Sequence, residues 1–177
     1  MKKSMQTAFC GMIAALSVVL MFFTGIIPFA TISLPALAGC LLILVTAQLG
    51  TGWGLSVYAV CAVLVLILAP DREAAVYYVL FFGYYPVITA LLGRIRGRVP
   101  RYIAKLAIFN AAVAVSALIV ITLLGPLEEI PLLGRYTAAV LWMLANIMFV
   151  LYDLALDRLI ALYYHKIHNK LFRALRK

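Results

Sequence analysis

Six long apolar runs, separated by turn residues, constrain this chain more than any other feature of its sequence. A backbone surrounded by lipid must satisfy its own hydrogen bonds, and runs of 16 to 29 residues are too long for barrel strands. The runs therefore predict an all-α, polytopic membrane protein: a bundle of six transmembrane helices that forms a single domain over residues 1–177, with a basic tail at 165–177. The six predicted spans are residues 6–27, 34–49, 53–69, 74–93, 102–124 and 136–164.

The composition also favours a membrane protein. Apolar residues make up 67% of the chain and charged residues 12%, whereas soluble domains contain about 25% charged residues. The net charge of +9 does not indicate nucleic-acid binding, because so apolar a chain lacks a broad basic face exposed to water. We expect a multi-pass protein of the cell (cytoplasmic) membrane, of bacterial type.

The distribution of charge predicts the orientation. Six spans put thirteen of the fifteen Lys and Arg residues on the same side of the bilayer, and only Arg72 and Arg135 on the other. By the positive-inside rule the basic side is cytoplasmic, so both termini are predicted to lie inside. The segment "RIRGRVPRYIAK" (residues 94–105) is interpreted as a cytoplasmic loop that contacts anionic membrane lipid. A docking surface for a partner protein is a second, compatible interpretation.

The sixth span carries a sparse polar stripe. At about 100° per residue, five of its side chains fall within a sector of roughly 60°. Polar side chains are costly against lipid, so we expect the stripe to face the bundle interior or a wet cavity. Asn110 in the fifth span reaches a similar depth to Asp153, which predicts a structural polar pair between these two residues. The stripe consists of Arg135, Trp142, Asn146, Asp153 and Asp157.

Aromatic residues are concentrated in the fourth span, "VYYVLFFGYYPVI". Tyr77 and Tyr78 are predicted near the outer interface, either as belt residues or as a stacking surface for a flat ligand. Pro86 supplies no backbone N–H, so the sequence predicts a kink near Gly83.

The sequence contains no enzyme signature: HExxH, GxSxG and phosphate-binding glycine loops are all missing. Cys10, Cys40 and Cys61 lie in apolar runs without CxxC spacing, which favours packing roles over a zinc site or disulfides. We expect neither catalysis nor a metal or cofactor. Glu128 and Glu129, in a predicted outer loop, are either solvated charges or polar contacts to a ligand.

Two segments, "QTAFCGMIAALSVVLM" and "LPALAGCLLILVTAQLGTGWG", resemble the first two helices of the S components of energy-coupling factor (ECF) vitamin transporters. S components are substrate-binding membrane subunits with six short helices and both termini inside. In that family an Ala-xxx-Ala element on the first helix docks against a membrane coupling subunit driven by two ATPases. Gly11 and Ala15 occupy the matching positions here, with Gly in place of the first Ala. Packing against another helix of the same bundle is the alternative interpretation of these small residues.

The resemblance implies a subunit that captures a vitamin-like small molecule from outside and is energised by a separate coupling subunit and ATPases. An alternative is a structural or scaffolding membrane protein resembling the rod-shape factor MreD. The expected ligand contacts are Tyr77, Tyr78, Glu128, Glu129, Trp142 and Asn146. The expected partner-docking residues are Gly11, Ala15, Arg94, Arg96 and Arg98.

Overall fold

The computed structural model describes residues 3–27, 30–93, 95–124 and 136–162. Within these ranges all regular structure is helical, which confirms the all-α prediction. The helices are α1 (Lys3–Phe22), α2 (Ser33–Leu49), α3 (Thr51–Leu68), α4 (Arg72–Tyr77), α5 (Tyr85–Leu92), α6 (Arg98–Leu124) and α7 (Thr137–Leu162). A 3₁₀ turn (Phe23–Gly25) extends α1, and a π-helical turn (Tyr78–Phe82) extends α4.

The helices have the lengths and composition of membrane spans. Among the described residues, five helical segments are long and apolar enough to cross a bilayer: Lys3–Gly25, Thr51–Leu68, Arg72–Leu92, Arg98–Ile119 and Thr137–Leu162. α2 is equally apolar but shorter, at 17 residues, or about 25 Å at about 1.5 Å per residue. The predicted class, a membrane protein built from apolar helices, is therefore confirmed.

The basic segment before α6 differs from its prediction. The fifth span was expected to begin at Tyr102, but the helix begins at Arg98. Pro100 is compatible with this start, because the N–H groups of a first helical turn have no partner within the helix. Lys105, which lies both in the basic segment 94–105 and in the predicted span 102–124, is a helical residue only 2% exposed. Its ammonium lies 5.7 Å from the centre of the Tyr102 ring.

The chain divides into two compact units, Met1–Val120 and Ile121–Lys177. In the first unit α2 packs against α1, α3 and α5, as well as against the π-helical turn. This central position explains why α2 has no strongly polar face. The fully buried side chains in this core include Met21, Ala38, Leu42, Val45, Cys61 and Val65.

The face of α3 opposite to its buried residues is apolar and exposed. Val60, Val63 and Ile67 are 55%, 58% and 68% exposed, and their spacing places them on one helical face. Such a face is unfavourable in water, and it is the surface that a membrane helix presents to lipid. A buried apolar core with an apolar face on its outside therefore fits a protein surrounded by lipid.

Asp71 joins two turns at the predicted outer end of the first unit. One carboxylate oxygen accepts a hydrogen bond from the Ala74 N–H at 3.1 Å and caps α4. The other oxygen accepts from the Thr31 hydroxyl at 2.8 Å. Thr31 precedes α2, so this one side chain fixes the approach to α2 relative to the start of α4. Its role in this structure is a structural cap.

Candidate functional site

The backbone between α4 and α5 departs from a regular α-helix. The Gly83 N–H donates to the Tyr78 carbonyl at 2.8 Å, five residues back. In a regular α-helix this N–H would donate to Val79, four residues back. The Val79 carbonyl instead accepts a hydrogen bond from the Tyr58 hydroxyl of α3 at 2.6 Å. The predicted kink near Gly83 is thus an interruption of the helix, with Pro86 in the first turn of α5.

Gly83 permits the close approach of α3 to this interruption. A Cβ atom at position 83 would lie 2.7 Å from carbon atoms of the Tyr58 ring and 2.9 Å from the Tyr78 carbonyl oxygen. Real Cβ atoms do not approach other heavy atoms so closely, so only glycine fits without movement of the neighbours. The Tyr58 ring also packs edge-on against Tyr84, with ring centroids 5.8 Å apart.

A groove of about 440 Å³ lies beside these two tyrosines, between α3, the α4–α5 segment and α6. Most of its surface is apolar, with phenol rings at one side. Sites for drug-sized molecules have volumes of about 300–1,000 Å³ and combine apolar walls with few polar groups. The groove therefore suits a flat or apolar molecule better than a charged one. It is lined by Tyr58, Val79, Leu80, Tyr84, Ile108, Ala111, Ala112 and Val115.

An aromatic cluster centred on Phe81 supports the π-helical turn. The Phe81 ring lies 4.6 Å from Tyr85, 5.2 Å from Phe82 and 5.2 Å from Phe109 of α6, measured between ring centroids. Phe81, Tyr85 and Phe109 are buried. Contacts of this kind contribute about 0.5–1.5 kcal/mol each beyond their buried area. The cluster thus connects α6 to the irregular segment.

Tyr77 and Tyr78, predicted as belt or ligand-stacking residues, occupy different environments. Tyr77 is half-buried. Tyr78 is fully buried, and its hydroxyl makes no hydrogen bond of good geometry, although the Cys61 thiol is near enough to interact with it. The Tyr78 ring offers no open surface in this conformation. A ligand contact at either residue stays a prediction.

The remaining ligand candidates belong to the second unit. Trp142 on α7 is 55% exposed. Asn146 donates from its amide nitrogen to the Trp142 carbonyl at 2.9 Å, one turn back. Glu128 and Glu129 lie outside the described residues. The predicted polar stripe has mixed burial, because Asp153 is 1% exposed whereas Trp142 and Asp157 are both exposed.

The predicted pair of Asn110 and Asp153 stays a prediction. Asn110 donates to the Leu106 carbonyl of its own helix at 2.9 Å. Asp153 is buried, but it belongs to the other unit. A double-mutant cycle on these two residues tests the pairing.

The predicted docking residues that the structure describes are exposed. Gly11 and Ala15 lie on the outward face of α1, and a Cβ atom at position 11 would meet nothing within 4 Å. Arg96 and Arg98 are exposed around the start of α6, and Arg94 lies outside the described residues. Within the described ranges, no group of three or more His, Cys, Asp or Glu side chains has the arrangement of a metal site.

Comparisons with protein-family models, curated proteins and solved structures found no match for this chain. The resemblance to S components therefore rests on sequence pattern and enters below as a proposal.

Tyr58 and Tyr84 were not among the predicted site residues, although both line the groove. One signal was present in the sequence, because Pro86 predicts a disturbed helix whose carbonyls need other donors. Tyr58 is a hydroxyl-bearing side chain within the neighbouring span. Its pairing with Val79 depends on the register between two helices, which a local sequence pattern does not specify.

Proposed function

We propose that this chain is the substrate-capture membrane subunit of an ECF-type importer for a vitamin-like small molecule. The observation that carries the proposal is the outward face of α1, where Gly11 and Ala15 are both exposed. These residues occupy the positions at which S components carry their docking element. A face that is open in the isolated chain is available to a second membrane protein.

The physical chemistry of this face supports docking of a helix. Small residues one turn apart let two helix backbones approach closely, which is how helices associate when lipid removes the hydrophobic drive. Met12, Leu16 and Val19 are 61%, 46% and 49% exposed beside the small residues. Their side chains form apolar walls on one flank of the shallow strip. A partner helix of complementary shape would pack against both the small residues and these larger apolar side chains.

Capture of a ligand is supported by the groove beside Tyr58 and Tyr84. This groove is open rather than enclosed, and its apolar lining is compatible with the ring system of a small organic molecule. Trp142, Asn146, Glu128 and Glu129 stay ligand contacts predicted from the sequence alone, separate from this groove. No phosphate-binding loop is present in the sequence, so a separate ATPase module would supply the energy for uphill transport.

Co-purification tests the docking assignment. The full chain, tagged and expressed in a host that supplies ECF coupling subunits, is extracted gently and assayed for bound ATPase activity. We expect the double variant Gly11→Trp and Ala15→Trp to lose at least about ten-fold of that activity. Val63→Trp, which adds the same ring to the exposed face of α3, is the matched control and should retain it.

Full ATPase recovery with the double variant would refute docking through α1. Mass spectrometry of small molecules retained by the purified wild-type chain tests ligand capture separately. Recovery of envelope proteins, without an ATPase and without a retained small molecule, would instead support the scaffolding alternative.

A further inference from the structure

The turn between α5 and α6 is held in a defined conformation. The Arg101 guanidinium donates to the Gly93 carbonyl at 3.3 Å and to the Ile95 carbonyl at 3.2 Å. Gly97 has a φ of 105°, a conformation that side chains with a Cβ rarely adopt. A Cβ atom at position 97 would also lie 3.0 Å from the Pro100 ring. These contacts favour one conformation of the described residues of this turn.

The charged side chains of this turn and of the first turn of α6 are all basic in the sequence. Arg96 and Arg98 are exposed on either side of Gly97. The sequence contains no Asp or Glu from residue 74 to residue 127, so no acidic neighbour in the chain segment offsets these guanidinium groups. Arginine binds phosphate through paired N–H donors in a fixed planar geometry.

The first turns of α6 add an apolar surface next to these arginines. Val99, Tyr102 and Ile103 are 70%, 41% and 61% exposed, and their spacing of three and four residues places them on one helical face. A surface with three exposed large side chains next to two charged ones is not suited to an environment of water alone. The boundary between headgroups and acyl chains satisfies both groups, because charges remain at the phosphates while apolar side chains enter the hydrocarbon.

We propose that the α5–α6 turn is a binding site for an anionic phospholipid. Arg96 and Arg98 contact the headgroup phosphate, and Val99 and Ile103 pack against the acyl chains. Tyr102 lies at the level where aromatic side chains favour the membrane interface. Arg96 and Arg98 are also expected partner-docking residues, but lipid binding can be tested apart from the importer proposal, because it requires only the chain itself and the lipid.

The test is a lipid titration of the purified full chain in a zwitterionic detergent, followed by native mass spectrometry. Phosphatidylglycerol is the probe, and phosphatidylcholine is the neutral comparison. We expect the wild type to bind phosphatidylglycerol more tightly. The double variant Arg96→Gln and Arg98→Gln should bind it about 30-fold more weakly, roughly five-fold for each arginine. The control, Lys3→Gln with Arg158→Gln, removes two exposed cations elsewhere and should change affinity less than about two-fold.

A second pair of variants separates a lipid from a free phosphate. Val99→Ser with Ile103→Ser should weaken phosphatidylglycerol binding by about ten-fold, and glycerol phosphate at millimolar concentration should not compete. Competition by glycerol phosphate, with no effect of the serine variants, would identify a simple phosphate site and overturn the lipid assignment. Equal losses in the glutamine variant and its control would show a general charge effect and also overturn it.

Discussion

The hydrogen bond from the Tyr58 hydroxyl to the Val79 carbonyl fastens α3 to the irregular segment, and Tyr58→Phe removes that bond alone. The oxygen atoms are 2.6 Å apart, near the short end of the usual range of about 2.5–3.0 Å. Phenylalanine keeps the ring and therefore the edge-on contact with Tyr84. Any change in stability thus reports the hydroxyl.

The expected loss of stability depends on which hydrogen-bond donors remain for the Val79 carbonyl when the Tyr58 hydroxyl is removed. Its regular helical donor, the Gly83 N–H, donates to Tyr78 instead, and lipid offers no water as a substitute. Hydrogen bonds between membrane helices contribute about 0.6 kcal/mol on average and at most about 1.7 kcal/mol. Because this bond is short and its acceptor has lost its helical partner, we predict a loss of about 1.5 kcal/mol in the free energy of unfolding.

The assay is equilibrium unfolding of the full chain in mixed micelles, driven by a denaturing detergent and followed by circular dichroism. Tyr84→Phe is the matched control, because the Tyr84 hydroxyl donates to no residue in the described part of the chain. We expect the control to change stability by less than about 0.5 kcal/mol. If Tyr58→Phe is as stable as Tyr84→Phe, the hydroxyl does not hold the segment and the reasoning fails.

Three further substitutions test the packing of the first unit in the same assay. Gly83→Ala forces a methyl group against the Tyr58 ring and should cost about 1–3 kcal/mol; wild-type stability would mean that the ring moves freely. Asp71→Ala removes the α4 cap and the acceptor for Thr31, so a loss of at least about 1 kcal/mol is expected. Asp71→Asn keeps a capping oxygen and should lose less. Ser17→Ala deletes a buried bond to an α2 carbonyl at a cost of about 0.6 kcal/mol, and no loss would show that this bond contributes nothing.

The membrane spans could be predicted from the sequence because their signal is local. A run such as residues 53–69 is apolar throughout and ends at turn residues, so length and hydropathy alone indicate a helix. The break before Pro86 was also predictable, since proline supplies no N–H. The form of the break, a π-helical turn with Gly83 bonded to Tyr78, was not, because proline does not specify which donor satisfies each carbonyl.

The start of the fifth span could be placed only to within a few residues, because basic residues occur both in loops and at helix ends. Arg98 and Lys105 belong to a helix, since a long basic side chain is tolerated in the helical turns nearest the interface. Lys105 also has helical spacing to Phe109, with which it shares the buried face of α6. That spacing was visible in the sequence, but its burial depends on the surrounding helices.

Only the structure shows which way the small residues Gly11 and Ala15 of α1 face. Gly11 and Ala15 predict that another helix approaches α1 closely, either a helix of the same chain or one of a partner protein. Cys10, Ile13 and Ser17 form the buried face of α1, which turns Gly11 and Ala15 outward. The sequence could not separate these two outcomes, because both faces of α1 carry small residues.

Photo-crosslinking from α1 in intact membranes tests the central claim most directly. A benzophenone side chain is placed at position 11, with position 63 on α3 as the comparison, and the adducts are identified by mass spectrometry. The account predicts that position 11 captures a polytopic coupling subunit whose purified complex hydrolyses ATP, and that position 63 captures lipid. Lipid adducts alone from both positions, in cells that contain the coupling subunit and its ATPases, would contradict it.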